Sequence, residues 1–210
     1  MPHPAPRKKT PAASRSKPRA ARAAAAARAL SGRFAALDFE TADYGRDSAC
    51  ALSIVLVQDR RIVETWNRLI RPPRKDFVFT YLHGISWAQV HNQPTFAELW
   101  PEVAARLGQV DFIAAHNAAF DRSVLKACCA MAGVPEVPHP FLCTVKLARA
   151  AWQLHPATLA DVARHLQIPL RHHDAASDAL ACAQILLHAE QQGHPYPELY
   201  RQHLLKPARR

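Results

Sequence analysis

Apolar residues along this chain recur with two different periods, and the switch between them marks out the elements. "RFAALDFET", from Arg33, is a compact apolar run that reads as a central strand and ends on acidic positions. "ALSIVLVQ" (51–58) and "RIVETWNRLI" (61–70) predict two more strands, joined by a tight polar turn at Asp59–Arg60 and closed by Pro72 and Pro73. Ser86 is placed to cap a short helix through His91, and "TFAELWPEVAARLG" (95–108) has the spacing of an amphipathic helix stopped at Gly108. "VDFIAA" (110–115) predicts a buried strand, followed by a helix from about Ala118 to Met131 with Asn117 as its N-cap and Gly133 and Pro135 as its stop. "PFLCT" (140–144) predicts a short last strand, and three helices follow at about 144–154, 158–167 and 174–191. A strand, a hairpin and then alternating helices and strands call for an α/β fold, a mixed sheet with helices on its faces.

Within that frame the acids fall at particular places. Residues i and i+2 of a strand share a face, so Asp38 and Glu40 project together while Leu37 and Phe39 turn into packing. Two like charges side by side repel, and each loses hydration where the strand is buried. A cation held by both resolves the conflict, although an acid pair at a strand end is also common at a plain surface. "FIAAHNAAFDRSVL" (112–125) repeats the pattern of strand, polar residues and helix, with Asp121 one turn in. A first-turn Asp is ordinary helix-dipole chemistry. Yet His116, Asn117 and Asp121 gather at the same kind of strand end as Asp38 and Glu40, and open α/β sheets bind ligands beyond the carboxyl ends of their strands. In "LRHHDAASDALACAQILL" (170–187), Asp178 lies about one turn into a helix starting near Asp174, and His173 precedes it by five residues. The plain alternative there is a capping Asp174 beside two exposed histidines. Four carboxylates and one base that titrates near neutrality are together the inventory of a two-metal hydrolytic site for phosphodiesters.

Composition changes the picture mainly at the N-terminus. The 210 residues carry a formal charge of +10, but residues 1–33 hold nine Lys/Arg and no acid. The remaining 18 basic residues face 17 acidic ones, so the rest of the chain is near neutral. The Pro/Ala/Arg/Ser-rich segment 1–32 is expected to be a disordered tail, with Ala20 to Leu30 able to turn helical. It either holds phosphates loosely or is a solvated extension. Its Pro content and weak amphipathicity argue against a transit peptide, and no apolar segment of signal-peptide type follows the basic start. Apolar residues make up 49% of the chain, enough for a core, and no run approaches the ~20 residues of a membrane span. Cys50, Cys128, Cys129, Cys143 and Cys182 have no paired spacing and read as reduced thiols in a cytoplasmic protein. His139 and Cys143 lie four apart, but a single pair does not make a zinc site. The domain expected from these shifts spans 33–192, with 193–210 as a C-terminal extension.

The three clusters resemble the motifs of the DEDDh branch of the 3′–5′ exonucleases, relatives of the proofreading epsilon subunit of bacterial DNA polymerase III. D-x-E stands as Asp38-Phe39-Glu40 followed by Thr41, "AHNAAFD" carries Asn117 and Asp121, and "HDAASD" carries His173 and Asp178. "LHGIS" (82–86) and "FLCTVKLAR" (141–149) are similar to the standalone bacterial members, and the resemblance runs from about Phe34 to His188. It implies a ribonuclease H-like fold with a mixed sheet of about five strands. It also implies that Asp38 bridges two ions, Mg²⁺ or Mn²⁺, that Glu40 and Asp178 complete the shell of one, and that Asp121 reaches the other through water. His173 is then the general base, and Thr41, Ala42, His83 and Asn117 contact the substrate, with Phe120 packing its helix. The implied partner is nucleic acid with a free 3′ end, single-stranded DNA ahead of RNA, with no membrane, and the implied product is a nucleoside 5′-monophosphate. An RNA or oligoribonucleotide nuclease, a polymerase subunit and a non-catalytic binding module are the alternatives. A Lys or Asn at Asp38 or His173 would mark the last, and neither occurs; "YRQHLLKPARR" at the C-terminus offers no evident polymerase-binding motif.

Overall fold

The computed structural model describes residues 32–194 and 204–205. The expected tail helix within 20–30 and most of the C-terminal extension lie outside them. Six strands among the described residues form one mixed sheet in the order β3-β2-β1-β4-β5-β6. They are β1 (Arg33–Thr41), β2 (Ala49–Gln58), β3 (Arg61–Leu69), β4 (Phe112–Ala115), β5 (Phe141–Cys143) and β6 (Leu204–Leu205). The first five are the strands expected from the sequence. The sixth is a two-residue edge strand from the C-terminal extension, antiparallel to β5. The central strand β1 pairs antiparallel with β2 and parallel with β4, and β4 pairs parallel with β5. The carboxyl ends of β1, β4 and β5 therefore lie along one edge of the sheet.

Among the described residues seven helices accompany it: α1 (Thr80–His83), α2 (Trp87–Val90), α3 (Phe96–Leu107), α4 (Ala119–Ala132), α5 (Thr144–Trp152), α6 (Leu159–Leu166) and α7 (Ala175–Gln191). Local chemistry sets several of their ends. Thr95 accepts from the Glu98 N–H and Glu98 reaches back to the Thr95 N–H, closing a capping box on α3. Asp174 accepts from the N–H groups of Ala176 and Ser177 and starts α7. Asn117 is not the cap of α4. It takes the left-handed conformation at φ 66° inside the turn after β4, and Ala118 occupies the cap position. A short amide side chain tolerates that conformation better than most, so the turn uses Asn117 before the helix begins.

The alternation of β1 divides the interior in two. Phe34 and Ala36 join Val55, Phe112 and Leu142 under α5, α6 and α7. Ala35, Leu37 and Phe39 join Ile54, Ile113 and Phe141 under α3 and α4. Each side buries a continuous apolar layer, which is the helix–sheet–helix solution for a two-faced sheet. Asp38 and Glu40 continue the Phe34–Ala36 face past the point where the apolar layer ends. The register slips between Glu40 and Thr41, a bulge that bends the strand as it leaves the sheet.

Candidate active site

Because Asp38 and Glu40 share the face covered by α7, they meet the acid that α7 presents in its first turn. Oxygens of Asp38, Glu40 and Asp178 all lie within 4.8 Å of one another. Asp121 approaches from the opposite face. It is 2% exposed, sits in the first turn of α4, and its Oδ1 accepts the Phe39 N–H at 3.1 Å. That bond ties the helix on one face to the backbone between the two acids of β1. The four carboxylates expected from the sequence thus converge on one edge of the sheet, brought from three separate segments.

Their electrostatics are those of an unbalanced cluster. Burial, aided by Asp121, Glu40 and Asp178, pushes the Asp38 carboxyl well above its usual range. Burial and then Asp178 push Glu40 up to about 8, and burial pushes Asp121 up to about 7 against the opposing Phe39 N–H. Asp178 is raised as well, by burial, while its bond from His172 works the other way. Among the described residues no side-chain hydrogen bond reaches Asp38 or Glu40. Asp178 uses only one of its oxygens: Oδ2 lies 3.0 Å from Nδ1 of His172 and accepts the His173 N–H at 3.1 Å, whereas Oδ1 is buried without a partner. Carboxylates with few donors, one of them with a buried unpartnered oxygen, fit a hard divalent cation such as Mg²⁺ or Mn²⁺.

His173 stands at φ 66° in the turn ahead of α7, an unusual conformation for a non-glycine residue. Its ring stacks on His172 with centroids 4.0 Å apart and faces a cleft of about 280 Å³ beside the carboxylates. Thr41, Phe79, Leu82, His83 and Phe120 form the other walls of this cleft. His83 is fixed there. Its Nδ1 accepts the Ile85 N–H at 3.0 Å, which leaves Nε2 to donate to the Thr41 carbonyl at 3.2 Å, and burial holds its pKa below the ordinary value. Ala42 does not line the cleft. It is fully buried, and its carbonyl accepts the N–H groups of Val78 and Phe79, so it anchors the wall instead of forming it. The loop after β1 is gripped by Arg74, which bonds Asp43 at 3.0 Å and Asp47 at 2.7 Å. That grip sets Arg46 over the Phe120 ring, 4.4 Å from its centroid. Phe120 therefore both packs its helix and lines the cleft.

Beyond the carboxylates lies a second hollow of about 530 Å³ that includes Asn117 and His116. His116 is a brace. Its Nε2 donates to the Ala157 carbonyl at 3.1 Å and its Nδ1 meets the Thr144 hydroxyl at 2.8 Å. Burial drives its pKa down to about 4, so the ring stays neutral. The residue that sequence reasoning passed over is His172. The doubled histidine before the Asp174 cap was its only trace, because a contact from residue 172 to 178 crosses a turn and follows no helical period.

Sheet order, helix layers and the carboxylate edge define a ribonuclease H-like α/β domain with an acid cluster able to hold a metal ion. The chain belongs to the RNase_T exonuclease family, whose domain matches residues 35–186. It is 31% identical over 158 residues to the PolC-type DNA polymerase III of Thermotoga petrophila, a match covering 73% of this chain and 12% of the polymerase. It is also 31% identical over 143 residues to exodeoxyribonuclease 10 of Escherichia coli K12, covering 65% of this chain and 59% of that protein. The chain thus spans only part of the length of these curated relatives. Among solved structures, exonuclease X in complex with 5′-overhanging duplex DNA superposes with a TM-score of 0.62 at 26% identity, over 77% of this chain and 92% of the other. The nuclease domain of 3′hExo, a DEDDh family member bound to rAMP, shares the fold with a TM-score of 0.65 at 19% identity, again over 77% and 92%. No helix among the described residues is long and apolar enough to cross a membrane.

Proposed function

We propose that this protein is a metal-dependent 3′–5′ exonuclease that hydrolyses the last phosphodiester of a DNA 3′ end presented as a single strand, releasing nucleoside 5′-monophosphates. The observation that carries the reading is the meeting of Asp38, Glu40 and Asp178 within 4.8 Å, beside a cleft faced by His173. Asp38, Glu40 and Asp178 hold the cation site, with Asp121 behind it on the far face. Two divalent cations held there would activate the attacking water and stabilise charge on the departing oxygen. The chain's own residues do the rest. Phe79, Leu82 and Phe120 enclose the terminal nucleoside, and Thr41 and His83 border it. His173 takes the proton of the water that attacks phosphorus, as the bond from phosphorus to the upstream 3′ oxygen breaks. The left-handed turn at His173 projects its ring toward the cleft, and the stacked His172 steadies it while holding Asp178.

DNA is favoured over RNA by the likeness to exodeoxyribonuclease 10 and to exonuclease X on DNA. Residues 33–192 form the catalytic domain in this reading, with 1–32 outside it, and Leu204–Leu205 of the C-terminal extension add an edge strand to its sheet. The five cysteines, unpaired and buried, suit a cytoplasmic setting. The test is degradation of 5′-labelled and of 3′-labelled single-stranded DNA and RNA in Mg²⁺ by the wild type and by Asp38→Ala. A 3′-to-5′ ladder with mononucleotide product, abolished by chelation and by the substitution, is expected, with DNA degraded faster. An equal ladder from the variant would overturn the site, and faster loss of RNA would overturn the substrate.

A further inference from the structure

The hollow on the far side of the carboxylates has a chemistry of its own. Asp38, Asp178 and His172 line both it and the apolar cleft, so the acid cluster is the wall between the two. One side offers Phe39, Phe79, Leu82 and Phe120. The other offers Lys146 and Arg149, with Asn117 and Thr158 beside them. Lys146 and Arg149 are three apart on α5 and share a face. Both are exposed, and among the described residues neither is in an ion pair. The only acids lining this hollow are Asp38 and Asp178, which belong to the cation site. A third hollow, past His83 and His173, also contains an arginine, but Arg68 is engaged by Glu102 at 3.3 Å and lies over Trp66.

We infer that Lys146 and Arg149 bind the backbone phosphates of the strand immediately upstream of the scissile bond, and so fix the direction in which the strand is threaded. The inference rests on the exonuclease reading above. A nucleoside needs an enclosing apolar wall, and a phosphodiester backbone needs free cations. The cleft and the hollow supply these on opposite sides of the group that cleaves. The terminal nucleoside therefore sits against Phe79 and Phe120, the scissile phosphate sits at Asp38 and Asp178, and the preceding phosphates pass over α5. Lys146 and Arg149 are positioning residues, acting on phosphates that do not react, and their contribution is charge and so depends on salt.

Two substrates separate this from general damage. Thymidine 5′-(4-nitrophenyl phosphate) has a nucleoside and a cleavable phosphate but no upstream strand, whereas a single-stranded oligonucleotide has both. In Lys146→Ala/Arg149→Ala, kcat/KM on the oligonucleotide should fall by about tenfold or more near physiological salt, a larger loss than on the ester. The slope of log affinity against log salt, read by anisotropy of the labelled oligonucleotide in chelator, should shrink by about 0.7 for each phosphate no longer neutralised. The charge-keeping Lys146→Arg/Arg149→Lys should retain the slope. Arg61→Ala, which removes one exposed charge on β3, should leave it as in the wild type. Equal losses on the two substrates, or an unaltered slope in the double alanine variant, would overturn the inference. If the wild type hydrolyses neither substrate, the activity reading falls, while the binding slope still decides whether the groove holds phosphates.

Discussion

The ends of β1 and β4 make an instructive pair. Both strands run from buried apolar residues into polar ones at the same edge of the sheet, and in sequence the two transitions look alike. At the end of β4, His116 has both ring nitrogens engaged, by Ala157 and Thr144. At the end of β1, Asp38 and Glu40 face Asp178 with no side-chain hydrogen bond of their own among the described residues, and burial raises the carboxyl pKa values of all three. A buried polar group that is satisfied holds structure together, and one that is not invites a ligand. The comparison separates a brace from a site where residue type alone does not.

The hardest way to break it is to neutralise the β1 end without changing its shape. Asp38→Asn should reduce hydrolysis on the order of 10³-fold, the scale for removing a group that stabilises charge in the transition state. The same variant, free of metal at pH 8, should melt higher than the wild type, because an amide relieves the repulsion among the acids. Steady-state kinetics paired with a thermal melt in chelator reads both. A fall in activity accompanied by a fall in the melting temperature would make Asp38 a structural residue and erase the contrast with β4.

Much of this contrast was legible in the chain, and the reasons differ by element. The alternation of Phe34 to Glu40 is a purely local period, so the shared face of Asp38 and Glu40 follows from strand geometry. The meeting with Asp121 and Asp178 was legible only because both acids stand in the first turns of helices that follow the sheet. Asn117 was misplaced as a cap because capping and left-handed turn residues draw on the same side chains. Ala42 was misplaced at the cleft because its role is a carbonyl holding Val78 and Phe79, and backbone pairing over such a distance leaves no side-chain trace. Short α1 escaped because a single turn with no side-chain cap leaves no period to read. Lys146 and Arg149 read in sequence as an ordinary solvated helix face, and only their position beside Asp38 and Asp178 gives them meaning.

Cation binding should have an effect of intermediate size. Glu40 is raised from 4.5 to about 8, and Asp121 from 3.8 to about 7. Between the unfolded and folded values the metal-free folded state holds protons that the unfolded chain has released, so stability is greater in acid and declines as pH rises from about 4 to about 8. Divalent cation cancels that repulsion. At a fixed concentration a hundred times the dissociation constant at pH 8, one bound ion should add roughly 3 kcal/mol at that pH, and less at pH 5, where protons compete for the carboxylates. Calorimetric melts with Mg²⁺ or Mn²⁺ against chelator measure it. A gain of equal size at the two pH values would mean that the carboxylates do not form the binding site.

The smallest effect belongs to the β4 end and has the opposite sign. His116 is lowered from 6.5 to about 4 because burial disfavours its charged form. Its contribution to stability is therefore complete above about 6.5, declines as pH falls toward about 4, and is flat below that. Between pH 7 and pH 5.5 the loss should be about 1 kcal/mol, since one proton per molecule costs ~1.4 kcal/mol per pH unit. The acids of β1 gain stability over the same interval, so the raw profile mixes two opposing slopes. His116→Gln removes the titrating ring while keeping a polar side chain near Thr144 and Ala157. Denaturant unfolding of this variant and the wild type at both pH values, in chelator, isolates the histidine as the difference of differences. A variant that loses as much as the wild type on acidification would show that His116 is not held neutral, and the division between a satisfied strand end and an unsatisfied one would then fail at its structural side.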